Sequence, residues 1–141
     1  MILLDTNVIS ELMRPQPDER VARWMATHAA TNLYTTSVTQ AEILHGILLL
    51  PAGRRRQALE AAAGTMFDRD FHGRILGFNS EAAGPYARIA ADRRRMGRPI
   101  SHFDAQIAAI ARVSNADVAT RNVADYDGCG VRVVNPWTFE D

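Results

Sequence analysis

Apolar and polar positions alternate between two periods along this chain, and the switches between them outline its elements. Ile2-Leu3-Leu4 is a short apolar run closed by a turn signal, which predicts a strand buried on both faces. Val8 to Met13 then has helical spacing, with Thr6 or Asn7 as its N-cap. Pro17-Asp18-Glu19 opens a second helix to about Ala30, with Val21, Trp24, Met25 and His28 at helical spacing. Leu33-Tyr34-Thr35 is a second strand. Ser37 starts a third helix, with Gln40 completing a capping box and Val38, Ala41, Leu44, Ile47 and Leu48 on one side.

After the break at Pro51-Ala52-Gly53, Arg54 to Phe71 carries a stripe of Leu59, Ala62, Ala63, Met66, Phe67 and Phe71. Ile75 to Phe78 is a third strand. Asn79 or Ser80 caps a helix to Met96 with Ala83, Tyr86 and Ala90 inward, ended by Gly97 and Pro99. Ser101 precedes a helix from Phe103 to Val113, and Asp117 to Thr120 and Val131 to Val134 are the last strands. Strands alternating with helices predict an α/β fold, a parallel sheet with helices on both sides. No linker or repeat divides the 141 residues, so positions 1–141 form one domain.

Composition narrows the function by exclusion. No apolar run reaches about eighteen residues, so nothing spans a membrane. The single cysteine, Cys129, rules out an internal disulfide and a cysteine metal cluster, and suits a cytoplasmic protein. Net charge is zero, so nucleic-acid binding does not follow from bulk charge. All 16 basic residues are arginine, as a GC-rich genome would produce. Arg54-Arg55-Arg56 and Arg93-Arg94-Arg95 with Arg98 form dense patches, read as solvated helix faces or as phosphate contacts.

Four acids stand where the predicted topology would gather them. Asp5 and Asp125 follow the first and fourth strands; Glu42 and Asp104 lie in the first turns of two helices. Taken singly, Asp5 reads as a helix cap and Ser101-x-x-Asp104 as a capping box. Yet in a parallel sheet, helix starts lie at the same edge as strand ends, so all four can share one crevice. Clustered carboxylates repel unless they share protons or hold a cation, and an all-oxygen shell suits Mg²⁺ or Mn²⁺. Such a site favours phosphate chemistry. The four histidines lack zinc spacing, and no P-loop motif occurs.

Leu3-Leu4-Asp5-Thr6-Asn7, Ser37-Val38-Thr39-Gln40-Ala41-Glu42, Ser101-His102-Phe103-Asp104-Ala105-Gln106-Ile107-Ala108 and Thr120-Arg121-Asn122-Val123-Ala124-Asp125-Tyr126, with the Val133-Asn135-Pro136-Trp137 region, resemble the PIN-domain ribonucleases, specifically the VapC-type toxins and their FitB-like branch. Each motif is weak, but four in order along the whole chain are specific. The resemblance implies a five-stranded parallel sheet and Mg²⁺ or Mn²⁺ held by Asp5, Glu42, Asp104 and a fourth group. It implies endoribonuclease activity on structured RNA, a homodimer, and inhibition by a VapB-like antitoxin that carries the DNA-binding module, so that DNA is met only indirectly. Where many relatives have an acid after Thr-Arg this chain has Asn122, and Asp125 is taken as the fourth acid, with Asn122 as the alternative through water. Thr6, Asn7, Ser37, Thr39 and Thr120 are candidates for holding phosphate or metal-bound water, capping being the plainer role, above all for Ser37. The stripes holding Trp24 and Met25, and Met66, Phe67 and Phe71, would flank a groove for an antitoxin helix, unless both are core. Two rival functions remain: an Asp5-nucleophile phosphatase, disfavoured by Asn7 and the lack of lysine, and an inactive interaction or signalling domain.

Overall fold

Strand β1 (Ile2–Leu4) sits at the centre of the fold, and its three side chains show why. Ile2 and Leu4 enter one hydrophobic cluster and Leu3 the opposite one, as the two-residue period of a strand requires. β1 pairs in parallel with β2 (Leu33–Thr36) on one side and with β4 (Asp117–Ala119) on the other. β3 (Ile75–Leu76) and β5 (Val133–Val134) complete a five-stranded parallel sheet of order β3-β2-β1-β4-β5. The structure, a computed structural model, describes residues 1–141.

On one face, α1 (Thr6–Leu12), α2 (Glu19–Ala26), α3 (Ser37–Leu48) and α4 (Arg54–Thr65) contribute Val8, Ile9, Val21, Trp24, Ile43, Ile47 and Ala63 to the first cluster. On the other, α5 (Ser80–Arg95) and α6 (His102–Val113) bring Ala82, Ile89 and the buried Ala105, Ile107, Ala108, Ala109, Ile110 and Ala111. Small residues on α6 let it lie close against both the sheet and α5. The strand order reverses between β1 and β4, and the crevice beyond their carboxyl ends is where open α/β sheets collect ligands. No helix is long and apolar enough to cross a membrane.

Several local expectations are corrected. The cap of α1 is Asp5, as the plainer reading of that residue had it, and Thr6 and Asn7 are already helical: the Asp5 carboxylate accepts the Thr6 N–H at 2.8 Å. α2 ends at Ala26, and a separate 3₁₀ turn spans Ala30–Asn32. α3 is capped by Thr36, whose hydroxyl accepts the Thr39 N–H at 3.1 Å. Ser37 is therefore the first helical residue, exposed, and the Ser37–Gln40 box does not form. α3 turns Val38, Thr39, Ile43 and Ile47 inward while Ala41, Leu44 and Leu48 face out, because this helix packs against both clusters along different stripes. In α5 the inward residues are Ala82, Ile89 and Arg93, with Ala83 exposed and Tyr86 and Ala90 only partly covered.

The helix from Arg54 stops at Thr65 and widens to a π turn over Met66–Asp70, where the Phe71 N–H reaches back to Met66 at 3.0 Å. That extra residue turns Met66, Phe67 and Phe71 into the first cluster, beside Trp24. Of the two readings of the Trp24 and Phe67 stripes, core is the one seen: Trp24, Met66, Phe67 and Phe71 are buried in the first cluster and Met25 packs partly buried against it. An apolar groove lies instead between the end of α1, α3 and α4, lined by Met13, Ile43, Ile47, Leu50, Ala58 and Leu59.

Candidate active site

At the carboxyl end of β1 the backbone passes from strand to helix within one residue, and Asp5 occupies the corner. Its N–H still donates to Ala119 O of β4 at 2.9 Å, which fixes the side chain above the β1–β4 gap. One carboxylate oxygen caps α1 through Thr6 N–H; the other accepts the Thr120 hydroxyl at 2.8 Å. Thr120 is fully buried and spends its remaining capacity on two donors, Asn7 Nδ2 and Asn122 N–H, both at 3.1 Å. Asn7 Oδ1 in turn accepts the Arg121 N–H at 3.1 Å. The exit of β4 is thus laced to the first turn of α1.

Thr6 performs the same service toward α3. Its hydroxyl donates to Glu42 Oε1 at 2.9 Å and, its one proton so used, accepts from the buried Thr39 hydroxyl at 3.1 Å. Asp104 sits in the first turn of α6, where Ser101 Oγ accepts its N–H at 3.1 Å, the forward half of a capping box. Asp125 belongs to a 3₁₀ turn, Val123–Tyr126, beyond β4. Asp5, Glu42, Asp104 and Asp125 all line one pocket of about 550 Å³, together with Thr6, Asn7 and Asn122. Thr39 and Thr120 stand behind that wall, and Ser37 is not part of it.

Burial and mutual repulsion shape the charges. Asp5 is 5% exposed, and loss of hydration raises its pKa above the ordinary carboxylate value against the opposing hydrogen bonds of Thr120 and Thr6; the Asp125 charge adds to the rise. Glu42 is raised first by burial, then by Asp5 and Asp104, with the Thr6 hydroxyl opposing. Asp104 is raised by burial and next by Asp5. Such a pocket holds its carboxylates ionised at a cost that a cation would offset.

The donor set fits a hard divalent ion. The pocket wall offers carboxylate, hydroxyl and amide oxygens, and neither histidine nor cysteine. No three of its acids stand close enough together to hold an ion among them, so a bound Mg²⁺ or Mn²⁺ would draw much of its shell from water.

Several residues of the site lay outside the sequence reading. Tyr126 is 2% exposed; its hydroxyl donates to Asp104 Oδ1 at 3.5 Å, and burial beside three carboxylates keeps it protonated. Glu11, a fifth acid on the wall, is buried, accepts the Asp18 N–H at 3.0 Å and pairs with Arg14 at 3.2 Å, so its charge is spoken for. Arg121, also on the wall, lies over the Trp137 ring at 5.2 Å. No helical or strand period marks these side chains; only the fold brings them together.

The profile of the PIN domain matches residues 2–124. The chain is 39% identical to Toxin FitB of Neisseria gonorrhoeae over 137 residues, which covers 97% of this chain and 99% of that protein. It is 36% identical to VapC ribonuclease Y4jK of Sinorhizobium fredii, again over 97% of this chain and 98% of that one. Among solved structures, that of FitAB bound to an IR36 DNA fragment superposes with a TM-score of 0.92 at 39% identity, covering 100% of this chain and 99% of the other. Matched in sequence and in fold from end to end, the chain belongs to the PIN-domain family and is similar throughout to the FitB and VapC toxins.

Proposed function

We propose that this chain is a metal-dependent endoribonuclease, the toxin of a VapBC-type pair, cutting phosphodiester bonds in structured RNA. The observation that carries this reading is the single pocket lined by Asp5, Glu42, Asp104 and Asp125, with the first three acids pushed toward protonation by burial and one another. Those four would hold Mg²⁺ or Mn²⁺, with Asn122 beside them. The ion would supply an activated water and offset the charge that develops on the phosphate. Thr6 and Thr120 orient Glu42 and Asp5 through their hydroxyls, and Asn7 holds Thr120 in that role. Arg121 on the wall offers a cation to an incoming phosphate.

A phosphatase with Asp5 as nucleophile is disfavoured by the chain's own residues: Asn7 stands where a second acid would be wanted, and there is no lysine to steady a phosphoryl group.

The reading extends to partners. The groove between α1, α3 and α4 opens onto Thr6 and Glu42, so a VapB-like antitoxin peptide could lay apolar side chains in it and reach the acidic pocket with a cation. DNA binding would then belong to the antitoxin. Leu44, Leu48 and Leu49 leave exposed apolar area on and just beyond α3 for a second copy in a homodimer. The site of action would be the cytoplasm, where RNA is found.

The test is incubation with labelled structured RNA in Mg²⁺, Mn²⁺ or chelator, beside Asp5→Asn and Asp104→Asn. Cleavage should need the metal and disappear in both variants. Cleavage in chelator would reject the mechanism, and binding without cleavage would favour the inactive interaction domain.

A further inference from the structure

Of the 16 arginines only Arg93 is buried, at 4% exposure, although it opens what the sequence shows as a run of surface charge. A buried guanidinium ordinarily pairs with a carboxylate. This one does not; its partners are backbone carbonyls. Nε donates to Arg98 O at 2.7 Å, and Nη1 to Asp125 O at 2.7 Å and Asp127 O at 3.0 Å, with Cys129 Sγ at 3.7 Å. The nearby Asp127 carboxylate is taken by Arg98, at 3.3 Å.

Those carbonyls belong to the turn whose other side builds the pocket. Asp125 lines the pocket and Tyr126 reaches Asp104, while the same backbone is gripped from behind by α5. Between Asn122 and Cys129 the turn's own backbone bonds are all short-range, Asp125 N–H to Asn122 O, Asp127 N–H to Ala124 O and Cys129 N–H to Tyr126 O. Besides Arg93, it is tied to the fold by Tyr126 and Cys129 in the second cluster, by the Asn122 N–H on Thr120 and by the Arg98–Asp127 pair. Gly128, at φ +73°, closes over the clamp where a Cβ would sit 3.4 Å from the Met96 side chain and 3.8 Å from Arg93 Cδ. The planar fork sends fixed donors from two nitrogens, Nε to Arg98 O and Nη1 to the turn, whereas methionine has no donor and lysine's three all leave from one nitrogen.

We propose that Arg93 is a positioning residue of the nuclease centre: from α5 it fixes the 122–129 turn so that Asp125 and Tyr126 are presented to Asp5 and Asp104. The role in catalysis rests on the nuclease reading above; the clamp itself does not.

The test compares wild type, Arg93→Met and Arg93→Lys for RNA cleavage in Mn²⁺, with amide hydrogen exchange across the chain. In Arg93→Met, kcat should fall by about 100-fold, the scale expected when reacting groups are misplaced by an ångström, with KM within about twofold of wild type. Exchange should quicken over residues 122–129 while β1 and α6 stay protected. Arg93→Lys keeps the buried charge and guards against loss of folding; it should lie between the two in kcat and in exchange. Wild-type kcat in Arg93→Met, or a turn as protected as in wild type, would overturn the proposal. So would faster exchange spread evenly over α5 and α6, which marks a purely structural residue. Should wild type itself fail to cut RNA, the nuclease reading fails alone, and exchange in the turn still decides the clamp.

Discussion

Thr120 Oγ1 stands 2.8 Å from Asp5 Oδ2, joining two residues 115 positions apart. The hydroxyl donates to the carboxylate and accepts from Asn7 and Asn122, so every hydrogen-bonding capacity it has is used. Thr120→Val keeps the shape and removes the hub. The half-buried Asn7 amide and the exposed Asn122 N–H lose their acceptor, and the buried Asp5 carboxylate loses its donor, which costs about 1–3 kcal/mol of stability in urea titration. RNA cleavage should drop by roughly 10- to 100-fold, the usual cost of losing the group that orients a metal ligand. Thr120→Ser restores the hydroxyl and should recover most of both.

The acids make the metal-free protein pH-sensitive in a definite direction. Asp5, Glu42 and Asp104 have folded pKa values raised above their ordinary 3.8, 4.5 and 3.8, so the folded state binds more protons than the unfolded one in between. Stability therefore falls as pH rises from those ordinary values through the raised ones, and the penalty persists above them. In chelator at neutral pH, Asp104→Asn should melt higher than wild type, the gap closing as pH falls toward about 4. Added Mn²⁺ should reverse the ranking, stabilising wild type by about 2.7 kcal/mol at a hundredfold excess over its Kd and the variant by less. Scanning calorimetry with and without metal reads both. A variant that melts lower in chelator would show that Asp104 is not held under electrostatic stress.

What the sequence disclosed, and what it hid, divides along physical lines. Ile2-Leu3-Leu4 ending at Asp5 could be read because a two-sided buried strand leaves an apolar run, and α6 because its alanines and isoleucines leave a lone acid conspicuous. That places the fold class and the gathering of four acids at one sheet edge within reach of pattern alone. Helix faces were less legible: α3 serves two clusters, so its apolar stripe is not one stripe. The cap at Thr36 was hidden because Thr35, Thr36 and Ser37 are chemically alike and only the turn geometry chooses. Arg93 was invisible for a deeper reason, since its acceptors are backbone carbonyls that carry no side-chain signature. Tyr126 likewise owes its role to distance in space from Asp104, 22 residues away in the chain.

Tyr126→Phe isolates the hydroxyl from the ring. The ring remains in the second cluster, so stability should move by no more than about 1 kcal/mol, the net worth of one hydrogen bond. Asp104 loses its donor and the pocket loses a protonated neighbour among carboxylates. Cleavage should fall by about tenfold or more if that hydroxyl orients Asp104 for the metal. The Mn²⁺ concentration giving half-maximal rate should rise in step. Unchanged metal dependence would confine Tyr126 to packing.

Gly46 offers a way to separate inhibition from catalysis. It lies within α3 on the wall of the apolar groove, and a Cβ built there meets nothing within 4 Å. Gly46→Leu should therefore add helix stability, by up to about 1 kcal/mol, while filling the groove. RNA cleavage should stay within about twofold of wild type, because the residue is not on the wall of the acidic pocket. A peptide seated in the groove would meet an extra side chain, costing about 1–3 kcal/mol, or roughly 10- to 100-fold in affinity. The measurement is titration of wild type and Gly46→Leu with the proposed VapB-like antitoxin, following RNA cleavage. Equal inhibition of both would mean that the antitoxin docks elsewhere and reaches the four acids by another route.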